Sequence, residues 1–229
     1  MQHLLDARNI EAREVHPDLF SSAHPMPPEI RKVGHVLDLD ALQPGDLILS
    51  SPHSKLNPLT RGISYAQGEG GYLPQDARWT HAAVYLGEWF LTCEATRAGV
   101  GVGNLLDCML HSVLRVRRGW HNEQYLDREN GWRTALFSAT RLDDPYDLGH
   151  ASQLGKLAKA GGFARYQRKP PKDSGKPDAT ICSELFQDAY CRATGVLVQN
   201  CLSREVTPAF LSATSMLKDV PCRWRKLSS

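Results

Sequence analysis

The chain is predicted to be an α+β protein, an antiparallel sheet packed against helices. Between Thr80 and residue 142, short apolar or alternating runs are separated by turns too short for the crossovers that parallel strands need. After "DDPYD" the apolar spacing changes to that of helices, in "LGHASQLGKLAKAGG" and again in "ATICSELFQDAYCRATG". With 229 residues the chain can bury one substantial core, and nothing in its length requires a second.

In chain order, residues 1–35 mix charge, Pro and His without periodicity and are expected to form an N-terminal arm or loosely packed extension. The main domain is expected over 36–229. "LDALQPGDLILSS" places a Pro-Gly turn before an apolar run from Leu47 to Leu49, a turn feeding a strand. "HSKLNPLTRGISYAQGEGGYLPQDARW" holds a short helix followed by a Gly-rich loop, of a kind that commonly borders sites. "HAAVYLG", "WFLTCEAT" and "SVLRVRRG" read as strands, the last with its arginines on an outer face, and "RTALFSATRL" reads as a further strand. The helix starting near Leu148 is expected to stop at Gly161 and Gly162. A basic loop follows at 165–179, with Arg165, Arg168, Lys169, Lys172 and Lys176 expected to be solvated. In the next helix Ile181, Leu185, Phe186, Ala189 and Tyr190 share one face. "VTPAFLSATSMLKDV" is expected to be helical, with Thr207 as N-cap and Pro208 as its first residue.

Composition excludes several classes. Hydrophobic residues are 41% and charged residues 23%, values of an ordinary globular chain, and a net charge of +2 is too small for nucleic-acid binding through bulk electrostatics. No run approaches the ~18–20 apolar residues of a membrane span. The N-terminus lacks the basic and apolar regions of a cleaved signal, so synthesis in the cytoplasm is expected. Six cysteines lie scattered without CxxC pairs, which supports neither a zinc site nor a disulfide scaffold; no metal or cofactor is implied.

Thiol chemistry needs a sulfur that ionises readily, a base beside it and a group that orients the base. Cys182 falls at a helix start, where unpaired N–H groups favour a thiolate and Thr180 is available as a cap. The backbone N–H groups of Cys182 and Ser183 are placed to stabilise an oxyanion. Cys191, deeper in the same helix, has neither advantage and is expected in the core. Of nine histidines, His81 stands out as the first residue of an apolar strand. A hairpin around Gly87 and Glu88 would bring Glu94 alongside it, and a carboxylate in an apolar strand needs such a partner. Cys93 would point to the opposite face. A histidine bonded to backbone at a sheet margin, and a cysteine serving as a small apolar core residue, are the plain alternatives.

"LQPGDLILS", "WTHAAVYLG", "CEAT" with "GVGV", "DDPYDL", "ICSELFQDAY" and "VTPAFL" together resemble, in that order, the circularly permuted branch of the NlpC-type papain-like cysteine peptidases, the YiiX-like group. The resemblance covers residues 40 to 220. It implies a permuted papain-like fold, with Cys182 as nucleophile, His81 as general base and Glu94 orienting the imidazole. Relatives often carry an aromatic residue where this chain has Ile181. It further implies a cysteine hydrolase acting on an amide bond, with peptidoglycan peptides as the first substrate class. The lack of a leader suits an antibacterial effector toxin carried by a secretion machine to a target periplasm and held in check by an immunity protein. A lipid acyltransferase or thioesterase, a host-protein deamidase, and a non-catalytic binding module on the same fold are the alternatives.

Overall fold

The computed structural model describes residues 2–23, 25–54, 58–152, 179–198 and 206–228. It is α+β. The main sheet has seven strands in the order β6-β5-β4-β3-β7-β8, with β9 also paired to β7. Its strands are β3 (Leu47–Pro52), β4 (His81–Tyr85), β5 (Leu91–Thr96), β6 (Gly99–Asn104), β7 (Ser112–His121), β8 (Gln124–Tyr125) and β9 (Leu217–Asp219). Every pairing among them is antiparallel. A three-stranded sheet, β1-β10-β2, is built from Val15–Phe20, Trp224–Leu227 and His35–Leu37.

Both faces of the main sheet are covered, which explains why β3 and β4 read as continuous apolar runs. Strand alternation sends Ile48, Ala83, Tyr85, Leu114 and Val116 to one side, where they meet Ile30, Met109 and Trp224. Leu47, Leu49, Ala82, Val84, Cys93 and Ala95 face the other side. There they meet Cys182, Leu185, Phe186 and Tyr190 of the helix Cys182–Thr194. In chain order the helices are α1 (Pro28–Val33), α2 (Pro58–Glu69), α3 (Pro74–Ala77), α4 (Leu105–His111), α5 (Arg128–Ala139), α6 (Cys182–Thr194) and α7 (Pro208–Ala213). Ile181, Leu185, Phe186, Ala189 and Tyr190 are all buried, as their spacing predicts, and each such side chain stabilises the fold by ~1.5–3 kcal/mol if large.

Several expectations are corrected. "RTALFSATRL" is no strand: its residues 133–139 belong to α5 and 140–142 form the turn after it, and the N-cap Asp127 of α5 accepts from the Asn130 N–H at 2.8 Å. The buried residues of α5 are Gly131, Thr134, Ala135 and Ser138, a stripe at helical spacing whose small side chains allow close approach to α6. Leu136, on the opposite face, is exposed, so apolarity alone misdirects the reading. Residues 1–35 are not merely loose, since Leu5 and Ile30 are fully buried and β1 pairs with β10 in parallel. The helix expected over 206–220 ends at Ala213, and Leu217–Asp219 forms β9 instead. The end of the helix beginning at Leu148 and the basic residues Arg165, Arg168, Lys169, Lys172 and Lys176 lie outside the described residues.

The arginines of "RVRRG" are not on an outer face. Arg115 and Arg117 are each 5% exposed. Arg115 donates to Asp219 at 2.7 Å and to the Ser212 hydroxyl at 2.6 Å, and that hydroxyl donates to Asp76 at 2.6 Å. Arg117 donates to the carbonyls of Leu211 and Ser212 and lies 3.4 Å from Asp219. The network ties β7 to α3, α7 and β9, and two buried cations need every acceptor in it. Asp219→Ala is therefore expected to cost about 3–5 kcal/mol in urea unfolding, because it leaves buried charge uncompensated. A loss below about 1 kcal/mol would contradict this role.

Candidate active site

His81 begins β4, where it pairs with Ser50 of β3. The β4–β5 register sets Ala83 opposite Glu94, so Glu94 lies diagonally across from His81 on the same face, within reach of a long side chain. The imidazole Nε2–H donates to Glu94 Oε2. Cys93 faces the other way and is fully buried, as alternation predicts.

Cys182 is the first residue of α6 and lies near enough to the His81 ring for the two groups to interact electrostatically. With Nε2 committed to Glu94, Nδ1 is the ring atom left for the sulfur. The side chains of His81 and Glu94 are 25% and 17% exposed, and Cys182 is 7% exposed, a site at the margin of the core. The expected cap is corrected: Ile181 occupies the N-cap, and Thr180 turns its hydroxyl to the Ile181 carbonyl at 3.3 Å. An apolar N-cap supplies no acceptor, so the helix start is held by Glu184, which accepts from the Ile181 N–H at 3.2 Å. The other oxygen of Glu184 lies 3.2 Å from His150 Nε2. Ser183 is fully buried and donates to the Val206 carbonyl at 2.6 Å.

The electrostatics of the three groups are coupled. Burial alone would lower the basicity of His81, but its interactions with Cys182 and Glu94 lift it from 6.5 to about 10. The hydrogen bond from His81 holds the Glu94 carboxyl below its ordinary value against the opposing effect of burial. Glu94 also needs bare backbone beside it. A Cβ on Gly103 of β6 would overlap its carboxylate and come within 2.7 Å of the Thr92 hydroxyl. The glycine of "GVGVG" is thus a requirement of space.

Tyr146, in "DDPYDL", carries no signal of its own in the sequence. It forms a parallel bridge with Thr180, flanked by backbone bonds from Thr180 N–H to the Pro145 carbonyl (3.1 Å) and from Asp147 N–H to the Thr180 carbonyl (3.0 Å). Burial first, and then the nearby Cys182, raise its hydroxyl pKa, leaving a protonated phenol in the neighbourhood of the sulfur. Cys191 is half-buried rather than in the core. Among the described residues the remaining free cysteines, Cys93, Cys108 and Cys222, all have thiols pushed up by burial.

No protein-family model and no curated protein matches the chain. Among solved structures it is similar to the metalloprotein yiiX from Escherichia coli O157:H7, with a TM-score of 0.51 and 18% identity over 78% of this chain and 96% of that one. The fold is therefore YiiX-like; at this identity the likeness extends to fold alone. No helix among the described residues is long and apolar enough to cross a membrane.

The pH dependence has a defined sign. A raised His81 pKa favours folding fully below pH 6.5, and this contribution is lost as the pH rises toward about 10. The lowered Glu94 pKa contributes above pH 4.5 and is lost as the pH falls. His81→Gln is expected to lower the melting temperature most between pH 4.5 and 6.5, the gap to the native chain closing toward pH 10. A gap that stays constant with pH contradicts the charged pairing. Gly103→Ala, on an edge strand, is expected to preserve the circular dichroism spectrum while slowing alkylation of Cys182 at pH 7 about tenfold. An unchanged rate contradicts the role given to Glu94.

Proposed function

We propose that the protein is a cysteine hydrolase that cleaves an amide bond through an acyl-enzyme on Cys182. The observation that carries this reading is the His81 ring held between Cys182 at a helix start and Glu94 on the neighbouring strand. The order His81, Glu94, Cys182 along the chain supports a permuted papain-like arrangement, with the base strand ahead of the nucleophile helix.

In the proposed reaction the proton shared by Cys182 and His81 resides on the imidazole as the sulfur attacks the amide carbonyl. Charge develops on the carbonyl oxygen near the first N–H groups of α6, those of Cys182 and Ser183, which have no partner within a helix. His81 returns the proton to the leaving amine, and the C–N bond breaks to leave a thioester. Water, deprotonated by His81, then attacks that thioester; the acid departs and the thiol is restored. Glu94 keeps Nε2–H oriented throughout and supports the imidazolium at the steps where the ring carries the proton.

The structural neighbour yiiX is described as a metalloprotein. Among the described residues here, no group of three or more His, Cys, Asp or Glu is placed to hold a metal ion, and Nε2 of His81 is engaged by Glu94. These residues do not fit a metal centre, and no step of the proposed reaction runs through one.

Peptides of peptidoglycan are the proposed substrates, in line with the family resemblance, and delivery to a target periplasm with a cognate inhibitor completes the reading. Purified peptidoglycan fragments incubated with the native chain are expected to yield a new free amine and carboxylate. Cys182→Ala is expected to lose this cleavage by a factor of at least about 10³. Cleavage retained by Cys182→Ala would remove the nucleophile assignment, and fragments left intact by the native chain would remove the substrate class.

A further inference from the structure

One short segment, Val206 to Ala209, receives a buried polar contact from each side of the site. Gln67 of α2 is 3% exposed, and its amide is engaged at both ends. Its Nε2 donates to the carbonyls of Ala77 (3.0 Å) and Trp79 (2.8 Å), while its Oε1 accepts from the Ala209 N–H at 2.9 Å. Trp79 stands two residues before His81. From the other direction Ser183, the neighbour of Cys182, donates to the Val206 carbonyl at 2.6 Å. The backbone between these two contacts is stiff. Thr207 caps α7 by accepting from the Phe210 N–H at 3.1 Å, and Pro208 has its φ fixed by its ring. Val206 and Ala209 are fully buried, so neither contact is loosened by water.

We propose that Gln67 and Ser183 are positioning residues that set the spacing between His81 and Cys182, using Val206 to Ala209 as a rigid strut. The inference rests on the cysteine-hydrolase reading above. The base begins a strand and the nucleophile begins a helix far away in the chain, so their spacing depends on what ties the two starting points together. Gln67 holds the run into β4 at one end of the strut, and Ser183 holds the first turn of α6 at the other. Proton transfer and attack are sensitive to shifts of about 1 Å, and a buried amide with all its arms engaged resists such shifts. "VTPAFL" gains a role in this arrangement: its Thr and Pro make the strut stiff.

The test reads the rate of iodoacetamide alkylation at Cys182 against pH in the full chain, by peptide mass spectrometry, with the half-buried Cys191 as internal reference. Gln67→Glu keeps the acceptor for Ala209 and replaces the donors to Ala77 and Trp79, cutting the arm to His81. Ser183→Ala cuts the arm to Cys182. Each variant that folds is expected to slow Cys182 about 10- to 100-fold at pH 7 and to shift its profile toward that of Cys191, whose own profile stays fixed. The double variant is expected to lose no more than the worse single one, because either cut releases the strut. Variants that fold and keep the native Cys182 profile, or losses that simply add, overturn the strut. If one variant does not fold, the other decides the matter by the same profile. A native chain whose Cys182 reacts no faster than Cys191 overturns both the hydrolase reading and the strut, whereas a fast native Cys182 left unchanged by the variants removes the strut alone.

Discussion

The ring of His81 is held by Glu94 through Nε2 and lies beside Cys182, at a place where burial alone would strip it of its proton. Those two neighbours decide the state of the site. A protonated imidazole is stable in a poorly solvated setting only while its neighbours stay in place. The features around it serve this requirement: a diagonal strand register that aims Glu94 at His81, a glycine on β6 that leaves room for the carboxylate, and a helix that begins at the sulfur.

A second layer of buried polar contacts holds those parts. Glu184 closes the start of α6 where Ile181 offers no cap, and it also meets His150 from the segment that carries Tyr146. Gln67 and Ser183 converge on Val206 to Ala209 from opposite sides. Farther from the site, Arg115, Arg117, Asp76 and Asp219 bind α3, α7 and β9 to the central strand β7. Each of these contacts is internal and geometrically constrained, so the site is built to change little in shape. Small exposed areas at His81 and Glu94 leave the pair in contact with solvent.

His81, Glu94 and Cys182 could be found from the sequence because each breaks a local pattern: a histidine opening an apolar strand, a carboxylate inside one, a thiol at a helix start. The Thr207 and Pro208 start of α7 was legible for the same reason, since capping is a local rule. Other features depend on partners that the sequence does not place. Arg115 and Arg117 looked like solvated charges because Asp219 and Ser212 are distant in the chain. Helix α5 reads as a strand in the sequence because its buried stripe is made of small residues, which leave no apolar period. Gln67 gave no signal, its acceptors being backbone carbonyls of another element, and Tyr146 became visible only through its bridge to Thr180.

The most direct measurement of the central claim is the intact mass of the protein, acid-quenched during turnover of peptidoglycan stem peptides. The account predicts an adduct equal to the acyl half of the cleaved peptide, held as a thioester on Cys182 and absent from Cys182→Ala. Product formation without an adduct at any stage, or an adduct on another residue, would contradict it.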